Sequence, residues 1–332
     1  MIYGSFIYRS AKKNNIFKAG NEHSPYKVLR KKFLDVGIEL NTPDLNKGKE
    51  ITFEFHLNAQ RKKPSTRAYV HLAENPLIRP LNRDQKFLIR YAKWFTWDNE
   101  LCNNEKARHL LLPNCLEFGL FNPPEDRPIF LVLVAANKAL RAKDFRDQYQ
   151  LRQVIINWYE KNAPAAFYLY GKGWNLPFAL PGIKSKLIKI FLKFISAFYS
   201  KKPKLKTWHG LVQNKIELLK SARFCIAHEN CRDLPGYITE KLFDCFRAGC
   251  VPVYIGPEEI NVYVPSNCFI DGRQFKNPAE MNAHLHSISD DTYKEYQKNI
   301  HNFMTSERAK IFSSEYFAEA VVRTILTDLS NI

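Results

Sequence analysis

No segment of this 332-residue chain reaches the roughly 18 uninterrupted apolar residues that a membrane-spanning helix requires. The opening MIYGSFIYRSAKKNN also lacks the basic, apolar and small-residue succession of a secretory signal. A cytoplasmic location is the expectation. Acidic residues are scarce: 33 Asp and Glu stand against 50 Lys and Arg, a formal charge of +17. That balance favours anionic partners, whether nucleic acid, a membrane surface or a phosphorylated substrate. The seven cysteines are odd in number, scattered and never spaced Cys-x-x-Cys, which argues against a disulfide framework or a zinc ribbon and for a reducing compartment. Repeats and low-complexity tracts are missing too. At about 150 residues per domain, the length suggests two domains, each with a core of its own.

The rest of the chain is organised around residues 222–271. Phe224 to Ala227 is a short apolar run. A polar loop with Glu229, Asn230, Pro235, Gly236 and Tyr237 follows, and then helical spacing at Leu242, Phe243 and Phe246. Gly249 falls where a helix ends in the left-handed conformation, and Val251 to Ile255 is a second apolar run closed by Gly256 and Pro257. Strand, loop, helix and strand make a parallel βαβ unit, whose ligands lie at the carboxyl ends of the strands. A helix starting near Thr239 turns its free N–H groups and positive dipole end toward that loop, which favours a phosphate. Lys241 adds a full positive charge to the first turn, against the dipole, and an anionic ligand would resolve the conflict. Glu240 suits a ribose diol, as acidic residues do in other nucleotide sites. The pair fits a nucleotide carrying diphosphate and ribose; ordinary charges on a surface helix are the alternative.

Glu229-Asn230, Tyr237-Ile238-Thr239-Glu240-Lys241-Leu242, Ala248-Gly249, Val251-Pro252-Val253 and Gly256 together resemble the donor-binding signature of glycosyltransferase family 10, the α-1,3/1,4-fucosyltransferases. Weaker likeness extends through most of the chain, including Lys215 to Leu219. His228 departs from the pattern, which has an aromatic residue before Glu-Asn. The resemblance implies an α/β chain of GT-B architecture, two Rossmann-like domains facing a central cleft. It further implies an inverting enzyme that moves L-fucose from GDP-β-L-fucose to a glycan hydroxyl, such as that of a lipopolysaccharide O-antigen or a lipid-linked oligosaccharide. The lack of a spanning helix points to the bacterial type. Another GDP-6-deoxy sugar remains open as donor, since no residue reads the sugar hydroxyls directly.

Along the chain, residues 26–36 show helical spacing stopped by Gly37, residues 38–40 read as a strand, residues 51–55 alternate, and residues 68–72 and 93–97 are short apolar or aromatic runs. This alternation predicts an α/β first domain over 1–125, the acceptor-binding half under the resemblance. Asn122-Pro123-Pro124-Glu125-Asp126 marks the boundary. Residues 129–135, IFLVLVA, read as a central strand buried on both faces. A helix near 145–161, a strand at 167–170 and the organising stretch complete a GDP-sugar-binding domain over 126–332. Its last helix is capped by Ser313 or Ser314 and carries Phe317, Val321 and Ile325.

An inverting transfer needs a carboxylate to take the acceptor proton. Glu74, ending a strand before Asn75-Pro76, is the candidate; a turn-capping carboxylate is the plainer account, and Glu54 is the rival. A diphosphate departing without a metal needs cations. By position Arg152 matches the family's arginine, with Arg146 as the alternative and a solvated basic face as the plainer account. With Lys241 it would clamp the leaving group. Asn230, Tyr237 and Glu240 carry over as donor contacts. No metal is expected: Asp290-Asp291 reads as a helix N-terminus, and His284 and His286 lack a third ligand.

Residues 184–206, KSKLIKIFLKFISAFYSKKPKLK, fall outside the resemblance. Lys186, Lys189, Lys193, Ser196 and Ser200 form one polar stripe on an otherwise apolar helix, which fits peripheral contact with an anionic membrane at the cytoplasmic face. A packing helix or dimer contact is the alternative. Because this basic run is interleaved with aliphatics at helical period, nucleic acid is not the expected partner.

Overall fold

The computed structural model describes residues 2–18, 25–140, 143–176, 178–179 and 205–331. The amphipathic 184–206 stretch, apart from its last two residues, lies outside them. Two compact units emerge, one formed by Met1–Leu116, Leu234–Glu240 and Ser306–Ile332, the other by Glu117–Asp233 and Lys241–Thr305. A single cut at 125/126 therefore does not reproduce the packing. The last helix returns to the first unit because Phe317, Val321 and Ile325 complete the apolar cluster of Phe6, Phe33, Phe53 and Phe55.

The first unit holds six parallel strands: β1 (Ile2–Ile7), β2 (Ile38–Asn41), β3 (Phe53–Leu57), β4 (Arg67–Leu72), β5 (Lys93–Thr96) and β6 (Ala107–His109). Their order is β2-β1-β3-β4-β5-β6. Helix α1 (Pro25–Asp35) buries Tyr26, Leu29 and Phe33, the helical spacing expected from sequence, and ends before Gly37 at φ 79. An alternating run is expected at 51–55; the strand instead starts at Phe53, after a part-exposed Ile51 and an exposed Thr52, and all five residues of β3 are buried, because the strand is interior to a parallel sheet.

In the second unit β7 (Ile129–Val134), β8 (Phe167–Tyr170), β9 (Ala222–His228), β10 (Val251–Ile255) and β11 (Ile270–Asp271) are all parallel, in the order β11-β10-β9-β7-β8. Between β1 and β10 the chain also forms α2 (Gln85–Leu88), α3 (Tyr149–Asn162), α4 (Lys215–Lys220) and α5 (Glu240–Arg247). After them come α6 (Ile260–Tyr263), α7 (Pro278–Ser287), α8 (Asp290–Met304) and α9 (Ser314–Ser330). Ser313 caps α9 through a bond from Tyr316 N. At α8 the cap is Ser289, with Asp290 and Asp291 in the first turn.

Both sheets reverse direction in the order of their strands. In the second sheet, β7 leads through α3 to β8 on one side while β9 lies on the other. In the first, β1 is flanked by β2 and β3. Such switch points leave a crevice outside the carboxyl ends of the strands, where ligands of α/β folds bind.

Candidate functional site

In the second unit, the loops leaving β7 and β9 are tied together at the switch point. Gln148 N donates to Asn230 O (3.2 Å), Arg232 N donates to Arg146 O (3.0 Å), and Asp147 bridges to Cys231. Side chains alternate across β9, so His228 shares the face of Phe224 and Ile226, against which α3 packs, while Glu229 turns to the other face. Glu229 is fully buried. Lys241 Nζ meets its Oε2 at 2.9 Å, and the Tyr254 hydroxyl donates to its Oε1 at 3.4 Å.

Lys241 thus has an anion within its own unit, and the charge conflict expected at this helix start is met by Glu229 without a ligand. Arg152 differs. It is only 4% exposed, so the solvated-face account fails, and its guanidinium lies 4.9 Å from the ring centre of Tyr149. Its Nε has no hydrogen-bond partner. Burial pulls its pKa below the ordinary arginine value, partly opposed by Tyr149 and Glu229. Arg146, the alternative cation, is forked onto Asp144 through two 2.9 Å bonds. Next to Arg152, His228 is 1% exposed with both ring nitrogens unpartnered. Burial first, then the Arg152 cation, hold it neutral, far below the usual histidine pKa. Buried polar groups are nearly always paired; here the Nε of an arginine on α3 and both nitrogens of the imidazole ending β9 are not.

The same unit has a cavity of about 390 Å³ lined by Gln148, Leu151, Ile155, Arg232, Gly256 and Phe275 among others, within the range of small-molecule sites.

Glu74 and Tyr237, expected in different halves, come together in the first unit. Segment 234–240 seats Tyr237 against Trp97, ring centres 4.8 Å apart. Gly236 at φ 80 allows this approach, since a Cβ there would lie 2.6 Å from the Trp97 carbonyl oxygen. The Tyr237 hydroxyl then donates to Glu74 Oε1 at 3.2 Å. Glu74 is half-buried, its amide donating to Asn58 Oδ1 (2.8 Å) and its carbonyl accepting from Asn82 Nδ2 (2.7 Å). Glu54 lies elsewhere on β3, its Oε2 2.6 Å from His56 Nε2 and its Oε1 bonded to Ser65. Glu240 is exposed at the start of α5.

Among the described residues, no group of three or more His, Cys, Asp and Glu side chains could hold a metal ion. None of their helices is long and apolar enough to cross a membrane.

Residues 198–320 match glycosyltransferase family 10 (fucosyltransferase), C-terminal region. The likeness to family 10 is carried by that stretch. The stretch contains β9, α5 and β10, with His228, Glu229 and Lys241. The chain is 36% identical over 78 residues to the mouse 4-galactosyl-N-acetylglucosaminide 3-alpha-L-fucosyltransferase 9, covering 23% of this chain and 21% of that protein. An Arabidopsis thaliana alpha-(1,4)-fucosyltransferase is 37% identical over 76 residues, 22% and 19% of the two chains. The aligned stretch thus spans about a fifth of those relatives. A crystal structure of an alpha1,3-fucosyltransferase superimposes with a TM-score of 0.55 at 13% identity, covering 98% of this chain and 90% of the other; the GDP-fucose form gives 0.50 over the same shares, also at 13% identity. The fold is that of the GT-B glycosyltransferases, two Rossmann-like α/β units.

Sequence reasoning missed Trp97, which seats Tyr237, and Tyr254, which holds Glu229. Neither carries a local signal, because each acts through a contact distant in the chain.

Proposed function

We propose that this protein is a fucosyltransferase of family 10 that moves L-fucose from GDP-β-L-fucose to a glycan hydroxyl with inversion. The observation that carries the reading is Arg152, a buried guanidinium lacking a bond at Nε, beside the family 10 signature at a β-strand switch point. A buried cation left so is costly, and a diphosphate would complete its coordination. The fucosyltransferase whose fold is shared is known with GDP-fucose bound, which supports this donor.

In the proposed reaction the first unit supplies Glu74 as general base, its carboxylate oriented by the Tyr237 hydroxyl. It takes the proton of the acceptor hydroxyl as that oxygen attacks the anomeric carbon, and the GDP leaves from the opposite face. Arg152 and Lys241 meet the charge growing on the departing diphosphate. Asn230 and Glu240 contact the nucleotide sugar. The proposed chemistry requires no metal, and EDTA should leave turnover unchanged. The acceptor is proposed to be a lipopolysaccharide O-antigen or lipid-linked oligosaccharide at the cytoplasmic face, approached through 184–206.

Calorimetry of GDP-sugars against the full chain tests the donor, and preference for a GDP-6-deoxy sugar other than GDP-fucose would reassign it. Glu74→Ala should bind GDP normally while transfer falls by about 10²–10⁴-fold. Undiminished turnover in that variant removes Glu74 from the mechanism.

A further inference from the structure

The first unit contains a second cavity, of about 380 Å³, that the proposed transfer residues do not use. It lies at the β1/β3 switch point, the position in that sheet where a ligand is expected. Its walls come from the segment leaving β1 (Tyr8 to Lys12), from Pro43 and Asp44 after β2, and from Gln60 to Lys63 after β3. The floor is set: Glu54 and His56 are 7% and 2% exposed and bonded to each other, and His56 Nδ1 lies 3.3 Å from the Tyr91 hydroxyl. Asp44 Oδ2 accepts from Lys13 N at 2.8 Å.

The rim is otherwise. Arg9, Lys12, Lys62 and Lys63 line the cavity, are exposed, and form no salt bridge among the described residues, where fourteen other Lys and Arg side chains do. Four like charges around one concave site concentrate positive potential there. The two carboxylates within it, Asp44 and Glu54, disfavour a densely charged polyanion. A ligand bearing one anionic group among hydroxyls satisfies both.

We propose that this cavity binds the acceptor, and that the acceptor is a saccharide carrying a carboxylate or phosphate. The inference rests on the transferase reading and names its acceptor class. The anionic group is held by Lys62 and Lys63 with Arg9 and Lys12, through charge-assisted bonds about twice as strong as neutral ones. Asp44 accepts from sugar hydroxyls.

The test is saturation-transfer NMR and calorimetry on the full chain with three probes: N-acetyllactosamine, a glucuronate-bearing disaccharide and a disaccharide phosphate. The expected result is about tenfold tighter binding of an anionic probe than of the neutral one. That margin should shrink at high salt and vanish in Lys62→Gln/Lys63→Gln, whose GDP binding is unchanged. The two anionic arms tell carboxylate from phosphate. Equal binding of neutral and anionic probes overturns the proposal, as does retained preference in the double variant. Tighter binding of a short DNA duplex, lost in that variant, assigns the rim to nucleic acid and overturns it too. GDP binding without anion preference rejects only the acceptor class; anion preference without GDP binding rejects the donor reading instead.

Discussion

Two buried arginines of the second unit sit at opposite ends of the same sheet and are treated differently by the fold. Arg127, just before β7, is 3% exposed and donates to the carbonyls of Asn122 (3.0 Å), Leu219 (3.1 Å), Ala222 (2.8 Å) and Ala248 (2.8 Å). Arg152, toward the carboxyl ends, has an aromatic ring beneath it and an unbonded Nε. Equal burial therefore marks two roles. At the amino end the cation closes the chain's own loose carbonyls; at the carboxyl end a donor is left for something outside the chain.

Breaking the first arrangement should have the largest effect. Arg127→Ala leaves several carbonyls buried without donors and should cost about 4 kcal/mol or more, read as a melting temperature lower by about 10 °C. A drop of a degree or less would dissolve the contrast. Arg152→Gln should do the reverse: stability unchanged or raised, since an unsatisfied buried cation is removed, with GDP affinity down by about 30-fold in calorimetry. Tyr237→Phe, removing one hydrogen bond to Glu74, should lower kcat about fivefold at constant GDP affinity, matching a contribution near 1 kcal/mol.

The smallest effect sharpens the comparison through pH. His228 in the second unit is held far below the usual pKa by burial, and in the first unit burial pushes His71 down to about 3. Both folded values lie below the unfolded value of about 6.5, so the unfolded chain binds more protons as acidity rises. Their contribution to stability is present above about pH 6.5 and is lost as pH falls toward the folded values. Melting temperatures between pH 7.5 and 5 should decline, with a shallower slope in His228→Phe. An unchanged slope would show that His228 protonates as readily folded as unfolded.

Strands β8 and β10 and helix α1 were legible because apolar spacing alone fixes which residues can be buried together. The pair Lys241 and Glu229 was legible only as letters: both lay in the family-like stretch, but nothing local says that the lysine reaches back to that carboxylate. The boundary at 125/126 failed for the same reason. Segment 234–240 and helix α9 join the first unit through Trp97 and the Phe317 cluster, contacts with partners far away in sequence.

Sequence alone determined the βαβ core, the parallel α/β class and the likeness to family 10, since these depend on periodicity and on residue types at short spacing. Tertiary structure decided which charges are paired and which stay open: that Lys241 is met by Glu229, that Tyr237 steadies Glu74, and that Arg152 is buried with an unused donor. Pairing depends on distance and dehydration, which only the folded chain sets.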